Sequence, residues 1–143
     1  MLFIGIDPGC SGGVAVLDEF GKHDRTFKLD GTDADVAGFL LSVAESGDCF
    51  AMVEKVHAMP KQGVTSVFTF GRSLGFIHGL LTAYRVPFEE VSPQRWQKFM
   101  ECRTKGDKNV SKAKAQQLWP SVKITHANAD ALLIAEYGRR TRK

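Results

Sequence analysis

The hydrophobic pattern near the N-terminus is that of short strands separated by turns. Residues 2–7 form an apolar run that ends in an acid, and this run predicts a buried strand. A glycine-rich turn follows, then a second apolar run at residues 14–17 and a third, more mixed run at residues 22–29. Three neighbouring strands joined by short turns are most simply an antiparallel meander.

Beyond this meander the spacing of apolar residues becomes helical. Residues 33–46 predict a helix with Thr32 or Asp33 as its N-cap. The strand predicted at residues 49–55 is reached through this helix, so we expect it to lie parallel to the first strand. The remaining predicted elements are a loop at 59–65, a helix at 67–84, a strand at 87–91, a helix at 93–100, a polar loop at 102–109, a helix at 111–119 and a last helix from about 127 to the C-terminus. This order predicts one α/β domain over residues 1–143, with helices flanking a mixed sheet.

Composition narrows the class of protein. With 43% hydrophobic and 24% charged residues, the chain is typical of a soluble globular domain rather than of a disordered protein or a coiled coil. The three cysteines are widely spaced and show no paired motif, so neither a disulfide framework nor a zinc site is expected. No apolar stretch approaches the ~20 residues of a membrane span, and the N-terminus lacks the basic region of a signal peptide. We therefore expect a cytoplasmic protein with no membrane partner.

Three acids interrupt otherwise apolar segments. Asp7 and Glu54 each stand at the end of a predicted strand, and parallel adjacency of those strands would place both carboxylates at the same edge of the sheet. Asp130 begins the apolar helical run 130–135, so the first turn of that helix is expected to overlook the strand ends. Carboxylates gathered in this way repel one another unless a cation lies between them. The sequence therefore predicts a divalent-metal site.

Two polar residues just before Asp130 are further candidates. His126 lies four residues earlier and shares a face with Asp130 if the helix starts early. A neutral imidazole there is a metal ligand, a base that positions water, or an ordinary surface or capping histidine. Asn128 is expected to cap the helix.

The turn after Asp7 has a second interpretation. A Gly-Ile-Asp-x-Gly run also begins actin-like ATPases and sugar kinases, in which the turn binds nucleotide phosphate. Those proteins need two such domains and a much longer chain, so no nucleotide cofactor is expected here.

Basic residues concentrate in the second half of the chain. Between residues 95 and 114 there are seven lysines and arginines against only Glu101 and Asp107. Such density fits contacts to the phosphates of DNA, and the alternative is a merely solvated face. The C-terminal run 139–143 adds a basic tail that is expected to be flexible. The residues expected to contact DNA are His57, Lys61, Gln62, Arg72, Arg95, Lys98, Arg103, Lys105, Lys108, Lys112 and Lys114.

The loop that follows Glu54 is a candidate for insertion between the bases of a nucleic acid. An apolar or aromatic wedge unstacks bases when it enters between them. His57, Met59 and Phe68 are the candidates, with ordinary packing as the alternative.

The helix predicted at residues 67–84 carries glycine at every fourth position, at Gly71, Gly75 and Gly79. Each helix-interior glycine costs roughly 1 kcal/mol relative to alanine. Close approach of another backbone would compensate for that cost. This helix is therefore expected to form a dimer interface or a surface grazed by DNA.

Taken in order, these motifs resemble the RuvC family of Holliday junction resolvases. The segments that carry the resemblance are 4–9, 53–56 and 129–135, which hold the three acids, and 92–97 and 112–118, which look like the phage-borne branch. The resemblance spans nearly the whole chain. It implies an RNase H-like three-layer α/β fold, a homodimer, and Mg²⁺- or Mn²⁺-dependent nicking of branched DNA, in a bacterial cytoplasm or in the cytoplasm of a phage host.

The resemblance also implies a ligand set. Family members carry four carboxylates, the last two closely spaced on the C-terminal helix; Asp130 fits the last, whereas position 127 is Ala and its neighbour is His126. Chemistry and resemblance together assign Asp7 to bridge two ions ~3.5–4 Å apart. Glu54 would hold one of these ions, and Asp130 with His126 the other. A lysine in the basic stretch assists catalysis in this family, and the candidates are Lys105, Lys108 and Lys112.

The predicted function is therefore a structure-selective endonuclease that resolves four-way DNA junctions. One alternative is another RNase H-like nuclease that acts on flaps or RNA–DNA hybrids. The other is a catalytically weak junction-binding protein, in which the missing carboxylate has removed the activity.

Overall fold

The computed structural model describes residues 1–9, 11–55, 61 and 63–142. Its strands are β1 (Leu2–Asp7), β2 (Gly13–Leu17), β3 (His23–Lys28), β4 (Cys49–Glu54) and β5 (Phe88–Val91). Its helices are α1 (Asp33–Glu45), α2 (Val64–Ala83), α3 (Pro93–Phe99), α4 (Lys108–Leu118) and α5 (His126–Thr141). Within these described ranges, no helix combines the length and the apolar character needed to cross a bilayer.

The strands form one sheet in the order β3-β2-β1-β4-β5. β1 and β3 each pair antiparallel with β2, as the predicted meander requires. β4 lies parallel to β1, and β5 lies parallel to β4. The predicted mixed sheet is therefore confirmed. Because Ile6 pairs with Val53, Asp7 and Glu54 are the next residues on neighbouring parallel strands and lie at the same edge.

Alternation along the strands produces a hydrophobic core on each face of the sheet. On one face, Ile4 packs in a cluster with Leu40 of α1 and Leu81 of α2. On the other face, Phe3 belongs to a cluster with Leu133 of α5, which also includes residues of α3 and α4. Helices therefore cover both faces, which is the predicted three-layer arrangement.

Helix α5 lies directly on β1. A Cβ atom at Gly5 would come within 2.0 Å of the carbonyl oxygen of Ala131 and 2.3 Å of the backbone nitrogen of Ala135. Only glycine allows an approach this close. The contact fixes the helix that carries Asp130 against the strand that carries Asp7.

Two helices begin three residues earlier than predicted. α2 starts at Val64 rather than at residue 67. α4 starts at Lys108 rather than at residue 111, because the side chain of Asp107 accepts a hydrogen bond from the backbone N–H of Asn109 and caps the helix. The expectation that Lys108 lies in a loop is therefore wrong, since it occupies the first turn of a helix.

The start of α5 also differs from the expectation that Asp130 begins a helix. Thr125 and Asn128 form a capping box, in which each side chain bonds to the backbone N–H of the other, so the helix begins at His126. Asn128 is thus a capping residue, as predicted. Asp130 therefore lies in the second turn of α5 rather than at its N-terminus.

Candidate active site

Three carboxylates from distant parts of the chain meet at the edge of the sheet. Asp7 ends β1, Glu54 ends β4, and Asp130 lies near the start of α5. Burial raises the pKa of Asp7 well above its usual value, and the negative charges of Glu54 and Asp130 raise it further. The structure therefore brings together the three acids that the sequence singled out, close enough that Glu54 and Asp130 disfavour the charged form of Asp7.

Glu54 is held by a tryptophan on the neighbouring helix. The indole Nε1 of Trp96 donates a hydrogen bond of 2.7 Å to Oε2 of Glu54. Burial raises the pKa of the Glu54 carboxyl; the Trp96 bond opposes this rise, the charge of Asp130 adds to it, and the charge of Lys108 opposes it. One oxygen of this carboxylate is thus engaged by a neutral donor.

Asp130 has a different set of neighbours. Burial raises its pKa, while the nearby Ser111 hydroxyl and the charges of Lys108 and His126 oppose the rise. Its Oδ1 atom is buried and has no hydrogen-bond partner among the residues that the structure describes. His126 is exposed and lies one turn earlier on the same face of α5. The helix thus starts early enough for His126 and Asp130 to share a face.

The structure separates the three candidate lysines. The positive charge of Lys108 acts on Asp7, Glu54 and Asp130 alike. Lys105 is exposed in the preceding loop, where it adopts a left-handed backbone with φ 48°. Neither Lys105 nor Lys112 is among the main influences on the three carboxylates. Lys108 is therefore the lysine that the fold places at the site.

The donor chemistry of the site suits a hard divalent cation. Across the described ranges, no three His, Cys, Asp or Glu side chains lie close enough together to ligate one common ion. The carboxylates present fit Mg²⁺ or Mn²⁺ nevertheless, because such ions bind through one or two carboxylates and complete their shell with water and substrate phosphates. The unpartnered Oδ1 of Asp130 is an acceptor that a cation would satisfy.

Trp96 and Ser111 are site residues that the sequence did not reveal. Trp96 is completely buried, and Ser111 is 2% exposed. Nothing in the local sequence distinguishes a tryptophan that bonds a distant carboxylate from one that only fills a core. A serine inside a helix gives no local sign of a role at a site either. Only its burial, which requires a hydrogen-bond partner, singles it out.

Most of the basic stretch lies on the surface beside the site. Arg95 and Lys98 are exposed on α3, and Arg103 and Lys105 are exposed in the loop before α4. Arg103 and Lys105 also line a cleft of about 570 Å³ between that loop and the start of α3. Lys112 and Lys114 are partly buried on α4. Exposed basic residues are thus present on α3, in the loop that follows it and, at Lys108, in the first turn of α4.

Other predicted DNA contacts are placed differently. Arg72 is exposed on α2 but donates a hydrogen bond to the carboxylate of Asp33. Lys61, between β4 and α2, and Phe68, on α2, are both exposed. The expectations for His57, Met59 and Gln62 lie outside the described residues.

The basic C-terminal residues are held against the fold, contrary to the expectation of a flexible tail. Arg139 and Arg140 both donate hydrogen bonds to the buried carboxylate of Glu136, and their charges lower its pKa against the effect of burial. The guanidinium of Arg142 lies 4.0 Å from the ring centre of Phe50. Arg139 and Arg140 lie within α5, which ends at Thr141, and Arg142 follows as its C-cap, so these three arginines are held by the fold. Lys143 lies outside the described residues.

The exposed side of α2 contains the three regularly spaced glycines. Among the residues that the structure describes, nothing outside the helix's own nearby backbone lies within 4 Å of a Cβ atom built at Gly71, Gly75 or Gly79. Two large apolar side chains near the start of the helix are also open to solvent, Val64 at 87% and Phe68 at 74% exposure. No close approach by another described segment therefore explains why glycine stands at these helical positions.

Comparison with known proteins identifies the fold. The sequence matches no protein-family model and no curated protein. The structure is similar to a Thermus thermophilus RuvC structure, with a TM-score of 0.66 and 18% sequence identity over 98% of this chain and 96% of that one. It is also similar to T. thermophilus RuvC in complex with Holliday junction substrate, with a TM-score of 0.70 and 18% identity over 98% of this chain and 95% of that one. The chain therefore has the RuvC-like, RNase H-like α/β fold that its sequence motifs predict.

Proposed function

We propose that this protein is a metal-dependent endonuclease that nicks branched DNA, with the four-way junction as its substrate. The observation that carries the proposal is the meeting of Asp7, Glu54 and Asp130 at one edge of the sheet, with Lys108 beside them. Carboxylates arranged in this way suit divalent ions that act on a phosphodiester. The similarity to RuvC in complex with Holliday junction substrate supports the choice of branched DNA.

The three carboxylates are the residues that would hold Mg²⁺ or Mn²⁺, as two ions per site. His126 would be a further ligand, because it shares the helix face of Asp130. When bound, the ions supply positive charge at the phosphate and make water more acidic. Burial raises the pKa values of all three carboxylates, and repulsion by neighbouring acids adds to the rise at Asp7 and Glu54. Metal binding is therefore expected to weaken as pH falls into the range where these groups become protonated.

Lys108 supplies the site with a positive charge of its own. Its ammonium group opposes the rise in the pKa values of all three carboxylates, so it favours their ionised, metal-binding forms. A phosphate that approaches the carboxylates also approaches this ammonium group. We assign Lys108 the role of stabilising the negative charge that develops on the phosphate. The exposed basic residues that would hold the adjacent DNA backbone are Arg95, Lys98, Arg103 and Lys105.

A homodimer joined through α2 is the assembly we propose. The glycines on the exposed side of this helix leave room for a second backbone, and Val64 and Phe68 offer apolar surface next to them. A twofold dimer presents the same site twice. That arrangement suits a four-way junction, because its resolution needs two paired nicks.

The test compares four labelled substrates: an immobile four-way junction, a flap, a linear duplex and an RNA–DNA hybrid. Each is incubated with Mg²⁺, Mn²⁺ or EDTA, and the matched control is Asp7→Asn. We expect metal-dependent nicks in the junction alone, and none with the variant. Nicks in the flap or the hybrid instead would identify a different RNase H-like nuclease. Tight junction binding without nicks would identify a junction-binding protein. Ala127, where a carboxylate is expected, would then explain the missing activity.

A further inference from the structure

The hydrogen bond between Trp96 and Glu54 joins α3 to the end of β4. Its length is 2.7 Å, and it connects residues that are 42 positions apart in the chain. The indole nitrogen is a donor only and has a single hydrogen. The bond therefore fixes Oε2 of Glu54 in one direction relative to the ring plane of Trp96.

The donor itself cannot move with the carboxylate. Trp96 is completely buried and packs in the hydrophobic core on the α5 side of the sheet, together with Met100 and Leu133. The start of its helix is fixed as well, because the side chain of Ser92 caps α3 and Pro93 occupies the first turn. A rigid donor of this kind restricts the rotamers of a flexible glutamate.

The chemistry of the donor also matters. An arginine or lysine in this position would neutralise the carboxylate and compete with a metal ion for it. The indole N–H is neutral, so it occupies Oε2 without using the negative charge. Among the residues that the structure describes, no donor bonds the second oxygen, Oε1, which is therefore the atom offered to a cation. The geometry thus engages one oxygen of Glu54 without using its charge.

We propose that Trp96 is a positioning residue that holds Oε2 of Glu54 so that Oε1 is presented to a divalent cation. This inference rests on the proposed metal-dependent function and names a residue that serves it. Its substitution is expected to change the metal requirement of the protein rather than its affinity for DNA, because Trp96 is buried and the basic surface lies elsewhere.

The first measurement is the metal requirement of Trp96→Phe, which keeps an aromatic ring but removes the donor. The matched control is Trp119→Phe. Trp119 is also buried and also donates through its indole nitrogen, but to the backbone oxygen of Gly21 at 2.9 Å. The metal concentration that gives half-maximal nicking is expected to rise by roughly 10- to 100-fold in Trp96→Phe. That metal concentration is expected to remain unchanged in Trp119→Phe. The affinity for the junction in EDTA is expected to remain unchanged in both variants.

The second measurement needs neither DNA nor activity. The chain has two tryptophans, so Trp119→Phe leaves Trp96 as the sole indole fluorophore. Mn²⁺ is paramagnetic and quenches a nearby indole. We expect saturable quenching of Trp96 emission by Mn²⁺, and loss of that quenching when Glu54→Gln is added.

Quenching that is absent, or that survives Glu54→Gln, would overturn the inference even if Trp96→Phe fails to fold. A metal requirement in Trp96→Phe equal to that of Trp119→Phe would also overturn it. If the protein nicks no substrate but Trp96 responds to Mn²⁺ through Glu54, the proposed nuclease function fails and the positioning role of Trp96 stands.

Discussion

Replacing the glycines on the exposed side of α2 with alanine should have opposite effects on two measurable quantities. It should increase the stability of the single chain and weaken its self-association. In the described ranges, nothing outside the helix's own nearby backbone lies within 4 Å of a Cβ atom at Gly71 or Gly75, so alanine fits without displacing those residues. Alanine is more favourable than glycine in a helix interior by about 0.8–1.0 kcal/mol at each site. The double variant Gly71→Ala/Gly75→Ala is therefore expected to raise the free energy of unfolding of the monomer by about 2 kcal/mol, if the two sites are independent.

The same variant should weaken a dimer that packs backbone against backbone at these glycines. Inserted methyl groups in a tight interface cost roughly 1–3 kcal/mol, which corresponds to a rise in the dissociation constant of about 5- to 150-fold. Gly38→Ala is the matched control, because Gly38 is also exposed inside a helix, α1, with nothing within 4 Å of a Cβ atom. It should gain about 1 kcal/mol in stability and leave association unchanged.

Urea unfolding at low protein concentration measures the stability gain, and sedimentation velocity over a concentration series measures the association. The reasoning is refuted if the double variant and Gly38→Ala are both stabilised while dimerisation stays the same in both. That result would mean that the α2 glycines do not lie in the interface.

Three further predictions concern the carboxylate site and its support. Because the pKa of Asp7 is raised in the fold by burial and by neighbouring charges, the stability that its protonated form provides is lost as pH rises through the raised value. In EDTA at about pH 8, Asp7→Asn should therefore melt at a higher temperature than the unmodified chain. Below about pH 4 the two melting temperatures should be equal. A melting temperature of Asp7→Asn below that of the unmodified chain at about pH 8 would contradict this. Lys108→Ala should reduce the nicking rate at saturating metal by roughly 100-fold, whereas Lys105→Ala should mainly weaken junction binding and make its dependence on salt shallower. Single-turnover rates that fall equally in both would remove the special role of Lys108. Gly5→Ala should cost about 3 kcal/mol or more in urea unfolding, because its Cβ atom would come within 2.0 Å of the backbone oxygen of Ala131; a loss below about 1 kcal/mol would show that α5 can move away from β1.

The antiparallel meander, the parallel direction of β4 relative to β1 and the meeting of the acids could be predicted because local and topological signals agree. Short apolar runs with tight turns specify the meander, and a helix between β1 and β4 makes those strands parallel. Once the strands are parallel, Asp7 and Glu54 must leave the sheet at the same edge. The position of Asp130 then follows from the apolar face of α5, which packs on β1.

The contacts that tune the site could not be predicted in the same way. The bond from Trp96 to Glu54 depends on where α3 lies relative to β4, which no local pattern specifies. The choice of Lys108 among three lysines depends on the cap that Asp107 provides, because that cap extends α4 by one turn towards the carboxylates. Such contacts are properties of the assembled layers rather than of any one segment.

The most direct test of the central claim uses a supercoiled plasmid in which an inverted repeat extrudes a cruciform. If the site formed by Asp7, Glu54 and Asp130 nicks branched DNA in pairs, incubation with Mg²⁺ should convert this plasmid to a linear product with nicks at the cruciform base. Asp7→Asn should leave it supercoiled, and so should EDTA. Equal nicking of a plasmid that lacks the inverted repeat, or a linear product that persists with Asp7→Asn, would contradict the account.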